Sequence, residues 1–333
     1  IIYTTKGPME IQNVIRNETQ IFNSKGQCET IQDVLEHPYE GTIYNITTDH
    51  STKPLKITDE HPVLCMSNNN VLNYDEFKYK LSHNEINTDW KDVKDLQIGD
   101  MLVHAIPKYE KDSELFSEED CLFYGLMLGR GSYKNNSKFG SISFQDISHK
   151  YCEFIEEYLQ KYCVQFEKNW IYNNKWVKFE WNKNISLPIR FNDIYDNNNN
   201  KRISHSFLNL PLNKIKSIIK GILNFATEKN NTKFSSLIYC NTDKNFIETL
   251  RYLLLRTGIP CATFPNVFDM TQTTLEIPKT KEFCDLLDIE YPNISFNFFS
   301  NDDLIFTRIK SISKEQYDGT LYDLQMKDVH DYM

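Results

Sequence analysis

The chain has 333 residues, with 37 Lys and Arg against 46 Asp and Glu for a net charge of −9. That length exceeds one ordinary core and predicts two domains, while the acidic balance argues against a surface built throughout to neutralise nucleic-acid phosphates. No apolar run approaches the ~18–20 residues that cross a bilayer, and no cleavable signal is visible.

The charge is uneven. Residues 1–100 carry 9 basic and 16 acidic side chains, residues 101–300 carry 24 and 23, and residues 301–333 carry 4 and 7. The two ends share an acidic character that the middle lacks. Eight cysteines, Cys28, Cys65, Cys121, Cys152, Cys163, Cys240, Cys261 and Cys284, are scattered without a C-x-x-C pair or a histidine at zinc spacing. They predict free thiols in a reducing intracellular compartment, cytoplasm or nucleus.

From the start, "IIYTTKGPMEI" reads as the interior of a strand and a turn at Lys6-Gly7, as though cut from something longer. "GTIYNITTDHSTKPLKITDEHPVLCM" predicts a hairpin with a polar tip, and "VKDLQIGDMLVHAI" a strand entered through Gly99-Asp100. Short strands at such spacing predict an all-β module over residues 1–107. From about residue 113 the period changes. Ser117 to Asp120 has capping-box spacing, and "CLFYGLMLGRG" runs helical to a glycine. "HKYCEFIEEYLQKYC" is amphipathic, "KWVKFEWN" alternates as a strand, and a helix starts near Pro211. "DKNFIETLRYLLLRTG" is the clearest helix, with one apolar stripe and Gly258 as its C-terminal cap. After residue 300 the strand period returns, with a turn expected at Asp318-Gly319.

The middle repeats itself. Gly125 in "FYGLMLG" matches Gly221 in "IKGILNF", and "SISF" at 141–144 matches "SLIY" at 236–239. An αββα-type unit used twice implies a pseudo-twofold α+β domain with the glycine-bearing helices at its axis. The expected architecture is a β module discontinuous in sequence, residues 1–110 and 301–333, with residues 111–300 inserted.

At these residues the pattern resembles a known family. The ends resemble the Hint (hedgehog/intein) protein-splicing module and the middle resembles a LAGLIDADG homing endonuclease, so that together they look like a large intein. "KITDEHPVLC" is similar to the family's T-x-x-H motif, with Thr58 and His61 in its positions, and "YDLQMKDVHDYM" resembles the C-terminal block, carrying its acid and histidine onto Asp323 and His330. A second T-x-x-H, Thr47 to His50, falls in the expected hairpin tip and reads as a solvated turn. The resemblance implies autocatalytic splicing: an N-terminal acyl shift, transesterification and asparagine cyclisation. His61 would protonate the departing amine and Thr58 would stabilise charge on the carbonyl oxygen. Asp323 would tune the nucleophile and His330 would assist the C-terminal cleavage. Position 1 is Ile and the chain stops at Met333, so the terminal nucleophile and asparagine of the family are missing from these 333 residues.

The middle departs from its family. Aligned on the motif, Arg130 and Ala226 stand where the two metal-binding acids belong, Glu228 lies two residues past the second position, and Asp120 is at the opposite end of its helix. Neither a guanidinium nor a methyl group can ligate Mg2+. The resemblance therefore implies a degenerate endonuclease without cleavage activity. It implies no cofactor for splicing, Mg2+ only for an active endonuclease, flanking host segments (exteins) in cis as partners, weak residual DNA binding, no membrane and a monomer. Two alternatives stand beside it: a DNA-binding or homing endonuclease protein with residual DNA recognition, and hedgehog-like autoprocessing, which the returning C-terminal block disfavours.

Overall fold

The computed structural model describes residues 1–48, 54–67, 74–83, 85–133, 139–145, 149–171, 176–182, 187–231, 234–266, 269–291 and 298–326. The protein is mixed α/β, and its described ladders are antiparallel. By internal contacts it divides into two compact units, residues 1–109 with 228–333, and residues 110–227.

The first unit begins with a hairpin of β1 (Ile2–Thr4) and β2 (Gly7–Met9). The Thr4 hydroxyl donates to the Gly7 carbonyl at 2.8 Å, and Gly7 takes φ +97°, which glycine adopts without steric cost. There follow β3 (Gln20–Phe22), β4 (Cys28–Thr48), β5 (Leu55–Thr58), β6 (Pro62–Met66), α1 (Tyr74–Ser82), β7 (Asp89–Asp92) and β8 (Met101–Ala105). Two expectations fail here. The strands are not all short, because β4 runs for 21 residues. Nor is the segment all-β, because Tyr74–Ser82 is helical and lays Phe77 and Leu81, one turn apart, on the core formed by Met66, Val103 and Phe306. The rings of Phe77 and Phe299 stack at 4.7 Å.

The second unit holds α2 (Glu118–Gly129), β9 (Ser132–Tyr133), β10 (Phe139–Gln145), α3 (His149–Lys161), β11 (Phe166–Ile171), β12 (Trp176–Asn182), α4 (Phe191–Ile194), α5 (His205–Leu208) and α6 (Leu212–Leu223). The expected capping box opens α2: the Ser117 hydroxyl accepts from Asp120 N while the Asp120 carboxylate accepts from Ser117 N. The chain continues through β13 (Thr227–Asn231), β14 (Phe234–Asn241), α7 (Lys244–Arg256), β15 (Ala262–Pro265), β16 (Thr273–Pro278), α8 (Lys281–Leu287), β17 (Phe298–Ser300) and β18 (Leu304–Met326). Helix α7 is capped by Asp243 and released at Gly258, where φ is +76°. Its Tyr252 stacks on Tyr3 at 5.7 Å, which ties it to the β1 end of the first unit.

The repeat read from the sequence is present as topology, one hairpin longer than the αββα expected. One four-stranded sheet runs β11-β12-β10-β9 and the other β15-β16-β14-β13, so each is built from a hairpin, a helix and a second hairpin. "SISF" lies on β10 and "SLIY" on β14, the equivalent inner strands.

A second duplication is present in the large sheet, whose order β2-β1-β3-β4-β18-β8-β6-β7 reads the same way from either end. An antiparallel pair lies at each edge, the hairpin β1/β2 and the pair β6/β7, whose strands α1 separates in the chain, and each pair is followed by a single 3-10 turn, Ile11–Asn13 and Val93–Asp95. The long strands β4 and β18 meet at the centre, with Tyr39 opposite Gly319, Glu40 opposite Asp318 and Gly41 opposite Tyr317. Each carries one bulge residue, Gln32 and Lys310, that the ladder skips. The turn expected at Asp318-Gly319 is absent, and β18 runs straight through it. Tyr317 lies over Gly319 and donates its hydroxyl to the Thr320 carbonyl at 3.0 Å, as Tyr39 lies over Gly41 and donates to the Thr42 carbonyl at 3.0 Å. A Cβ on either glycine would stand 2.7 Å from that hydroxyl. These glycines make room for a ring, not for a reversal.

Candidate functional site

Two places carry the sequence-predicted residues. The first is the turn between β5 and β6. Thr58 ends β5 opposite Ile43 of β4, and a tight turn returns the chain to Pro62, opposite Asp92 of β7. The 3-10 turn at Val93–Asp95 grips it from outside: Val93 N donates to the His61 carbonyl at 3.2 Å and Lys94 N to the Asp59 carbonyl at 3.1 Å. Both Thr58 and His61 are half-buried. Ile57 and Val63, flanking the turn, pack on the core of Tyr44, Ile46, Cys65, Leu102 and Ile309. This is why a polar cluster is tolerated between apolar neighbours: the flanks are buried and the turn is not.

Asp323 lies on β18 opposite Leu35, half-buried, with its carboxylate accepting from Leu324 N at 2.8 Å. It belongs to the same sheet as Thr58 but not to the same level. Thr58 stands opposite Ile43, Ile43 opposite Glu315, and Asp323 is eight residues farther along β18, about 26 Å of strand. The ladder brings the two tails of the chain together without by itself bringing this carboxylate to His61. Beside Asp323, Leu324 and Met326 pack on Ile2, Ile21 and Ile31, so the first residues of the chain and the last described ones share a core. His330 lies outside the described residues. So does His50 of the second T-x-x-H; its Thr47 is half-buried in the ladder opposite Ser311, in strand rather than in a hairpin tip.

The second place is the crossing of α2 and α6. A Cβ on Gly125 would meet the Ile218 carbonyl oxygen at 2.3 Å, and one on Gly221 would meet Leu126 N at 2.6 Å. The helices touch backbone to backbone, as the paired glycines predict. At their C-terminal ends the chemistry is cationic and apolar. Arg130 caps α2, its guanidinium carbon 5.7 Å from the Trp176 ring and 5.4 Å from the Phe225 ring. Lys201 donates from Nζ to the Met127 and Leu128 carbonyls at 3.0 Å each, completing the α2 terminus. Burial, then the neighbouring Arg130, brings that ammonium down to about 8. Ala226 follows α6 with its N–H donating to the Leu223 carbonyl. The side chain of Glu228 lies outside the described residues.

These residues do not fit a divalent cation. Two basic side chains and a methyl group occupy the helix ends where oxygen donors would be needed. Among the described residues no group of three His, Cys, Asp or Glu side chains is arranged to hold a metal. Asp120 is structural. It accepts from Tyr158 at 2.7 Å, Tyr162 at 3.0 Å and Ser117 at 2.7 Å. Burial alone would raise its carboxyl, but these bonds outweigh it and hold the group below its ordinary value.

Each four-stranded sheet buries one face, Ile142, Phe144, Val177, Phe179 and Trp181 in the first, Leu237, Tyr239, Leu275 and Ile277 in the second. The opposite face of the first carries Lys178 against Glu167 and Glu180, with Lys178 and Glu180 paired at 2.7 Å. The opposite face of the second carries Glu276 on β16, and the side chains of β13, Lys229 included, lie outside the described residues. Among the side chains described, neither face is dominated by the cations that neutralise phosphates.

No protein-family model matches the chain, and no curated protein matches it. Solved structures do. Mesophilic variants of the homing endonuclease I-DmoI are 13% identical over 54% of this chain and 99% of theirs, with a TM-score of 0.38. I-DmoI in complex with DNA and Mn is 11% identical over 52% of this chain and 98% of its own, with a TM-score of 0.36. The N-terminal LAGLIDADG domain of DUF199/WhiA is 12% identical over 54% of this chain and 87% of its own, with a TM-score of 0.37. None of these three is a protein-splicing module. At identities and scores this low the likeness carries no argument about activity. Among the described residues no helix is long and apolar enough to cross a membrane.

Proposed function

We propose that the interleaved tail segments form a self-processing module that excises itself from flanking segments in cis and joins them, and that the glycine-crossed body is a homing-endonuclease relative without metal-dependent cleavage. The observation that carries the first half is the palindromic sheet, in which β18 of the C-terminal tail is inserted between β4 and β8 of the N-terminal tail and the T-x-x-H turn is gripped by backbone amides. A splice junction needs both flanks at one body, and this sheet supports that reading because its central pair, β4 and β18, comes one from each tail.

The chemistry follows from residue types. An amide resists attack because resonance holds it planar. A general acid that protonates the departing nitrogen and a donor that meets charge on the oxygen lower that barrier together. His61 takes the first role and Thr58 the second, on a turn rigid enough to hold them. Asp323 and His330 act at the other tail. The domain limits that go with this reading are residues 1–110 and 301–333 for the module and 111–300 for the insert. The protein is monomeric and resides with its host protein inside the cell.

The second reading, a DNA-binding protein with residual recognition, rests on the glycine crossing and the duplicated sheets. The acidic side chains described on both sheet faces weigh against tight binding. One experiment separates the two. The chain, extended at both ends by its natural flanks and two reporter proteins, is expressed and weighed intact. Ligated reporters together with the excised chain are expected. Unjoined precursor that is retained on DNA at moderate salt would replace the first reading with the second.

A further inference from the structure

We propose that residues joined ahead of Ile1 enter the large sheet as an added strand, antiparallel to β18 along Leu321–Leu324, with their last carbonyls held by the backbone amides of Ile11 and Gln12. This deepens the splicing reading and rests on it for the presence of a segment ahead of Ile1; what carries it is the duplicated strand pattern.

The pattern relates Tyr39, Gly41 and Ile43 to Tyr317, Gly319 and Leu321, because the two ring-over-glycine segments face each other across the centre of the ladder. It relates β3 to β8, which pair with β4 and β18 at equivalent places, Phe22 opposite Cys28 and Val103 opposite Phe306. It then relates Thr4, opposite Ile21, to Cys65, opposite Leu102. Counting back along the chain, Ile1 corresponds to Pro62, and the residues ahead of Ile1 correspond to the T-x-x-H turn and β5.

In the second half that place is filled. β5 lies along β4, Thr58 opposite Ile43, Lys56 opposite Asn45 and Leu55 opposite Ile46. Carried across, the fourth residue ahead of Ile1 stands opposite Leu321, the sixth opposite Asp323 and the seventh opposite Leu324. The grip on the turn has its counterpart too. Val93 N and Lys94 N hold the carbonyls of His61 and Asp59. Their equivalents, Ile11 N and Gln12 N, open the matching 3-10 turn and make no hydrogen bond to a described residue. They are placed to hold the carbonyls of the first and third residues ahead of Ile1. The ligand is an extended peptide in cis, recognised mainly through its backbone. The residue opposite Asp323 is the one whose peptide bond that carboxylate would serve.

The test uses the full chain extended by ten natural upstream residues, with exposed Cys163 and Cys240 replaced by serine. Leu321→Cys is paired with a single cysteine at the third, fourth or fifth upstream position and oxidised mildly. Opposed strand positions fall within disulfide reach, so cross-linking is expected to be at least about tenfold greater for the fourth position than for the fifth. Equal cross-linking at all three, or none in a folded chain, overturns the proposal. A variant-free measurement guards against misfolding: hydrogen exchange at Ile11 and Gln12 should slow at least about tenfold on adding the extension, and unchanged exchange overturns it. Reporter ligation on the same extended chain is scored separately. Cross-linking in register without ligation leaves this inference standing and removes the splicing reading; ligation without it does the reverse.

Discussion

The large sheet and the helix crossing are both duplications, and each has been retained differently. In the sheet, the repeated features are a tyrosine over a glycine at the centre of each long strand, and an amide-bearing 3-10 turn behind each edge pair. At the crossing the helices pack with Gly125 and Gly221 at backbone contact, while their C-terminal ends carry Arg130 and Ala226 and no oxygen donor from either side chain. The difference teaches that the two constraints are separable. A Cβ driven into a backbone oxygen at 2.3 Å has nowhere to go. A carboxylate at a helix end can change without disturbing any neighbour.

That contrast breaks most sharply at the glycines. Gly221→Val should cost more than about 3 kcal/mol, because the obstacle is backbone and cannot repack, with the denaturation midpoint as the readout; a loss under about 1 kcal/mol would mean the helices are not in contact. Asp120→Ala comes next, at about 2–4 kcal/mol, since it removes a cap and leaves Tyr158 and Tyr162 without their acceptor. Because the native Asp120 carboxyl is held below its ordinary value, its contribution is present above about pH 4 and fades as pH falls through the native value. Asp120→Ala should therefore show a shallower acid limb in a pH–stability profile.

His104 sharpens the same comparison from the sheet side. Burial, then the charge of Arg251, holds its imidazole down to about 4. The unfolded chain takes up this proton near pH 6.5 and the native one only near 4, so stability should decline as pH drops between those values. His104→Gln should flatten that limb while leaving the limb below pH 4. Smallest is Tyr317→Phe, which removes one hydroxyl bond and should cost about 0.5–1.5 kcal/mol. Tyr39→Phe should match it if the two halves are equivalent, and equilibrium unfolding will show whether they do.

Much of this was legible in the residues. The capping box at Ser117, the Asp243 and Gly258 ends of α7 and the paired glycines all follow from local rules, and they stand where those rules place them. The two halves of the large sheet were also written in plain view, as "YEGTIY" at 39–44 and "YDGTLY" at 317–322. The Asp318-Gly319 dipeptide reads as a turn because Asp-Gly is a common hairpin signal. Whether it reverses the chain or seats a ring depends on the tyrosine two residues earlier. Helix α1 escaped because nine residues with two buried apolar positions give little period to detect. The eight-residue step between the level of Thr58 and Asp323 depends on strand register, which no spacing in the chain reveals.

The central claim is that chemistry resides in the sheet and not at the crossing, and one paired measurement tests it directly. In the full chain with its natural flanks between two reporters, His61→Ala and Arg130→Ala are compared by intact mass. The account predicts that His61→Ala lowers ligated reporter at least about a hundredfold and that Arg130→Ala leaves it within about twofold of the unaltered chain. Ligation that survives His61→Ala, or that Arg130→Ala abolishes in a folded protein, would contradict it.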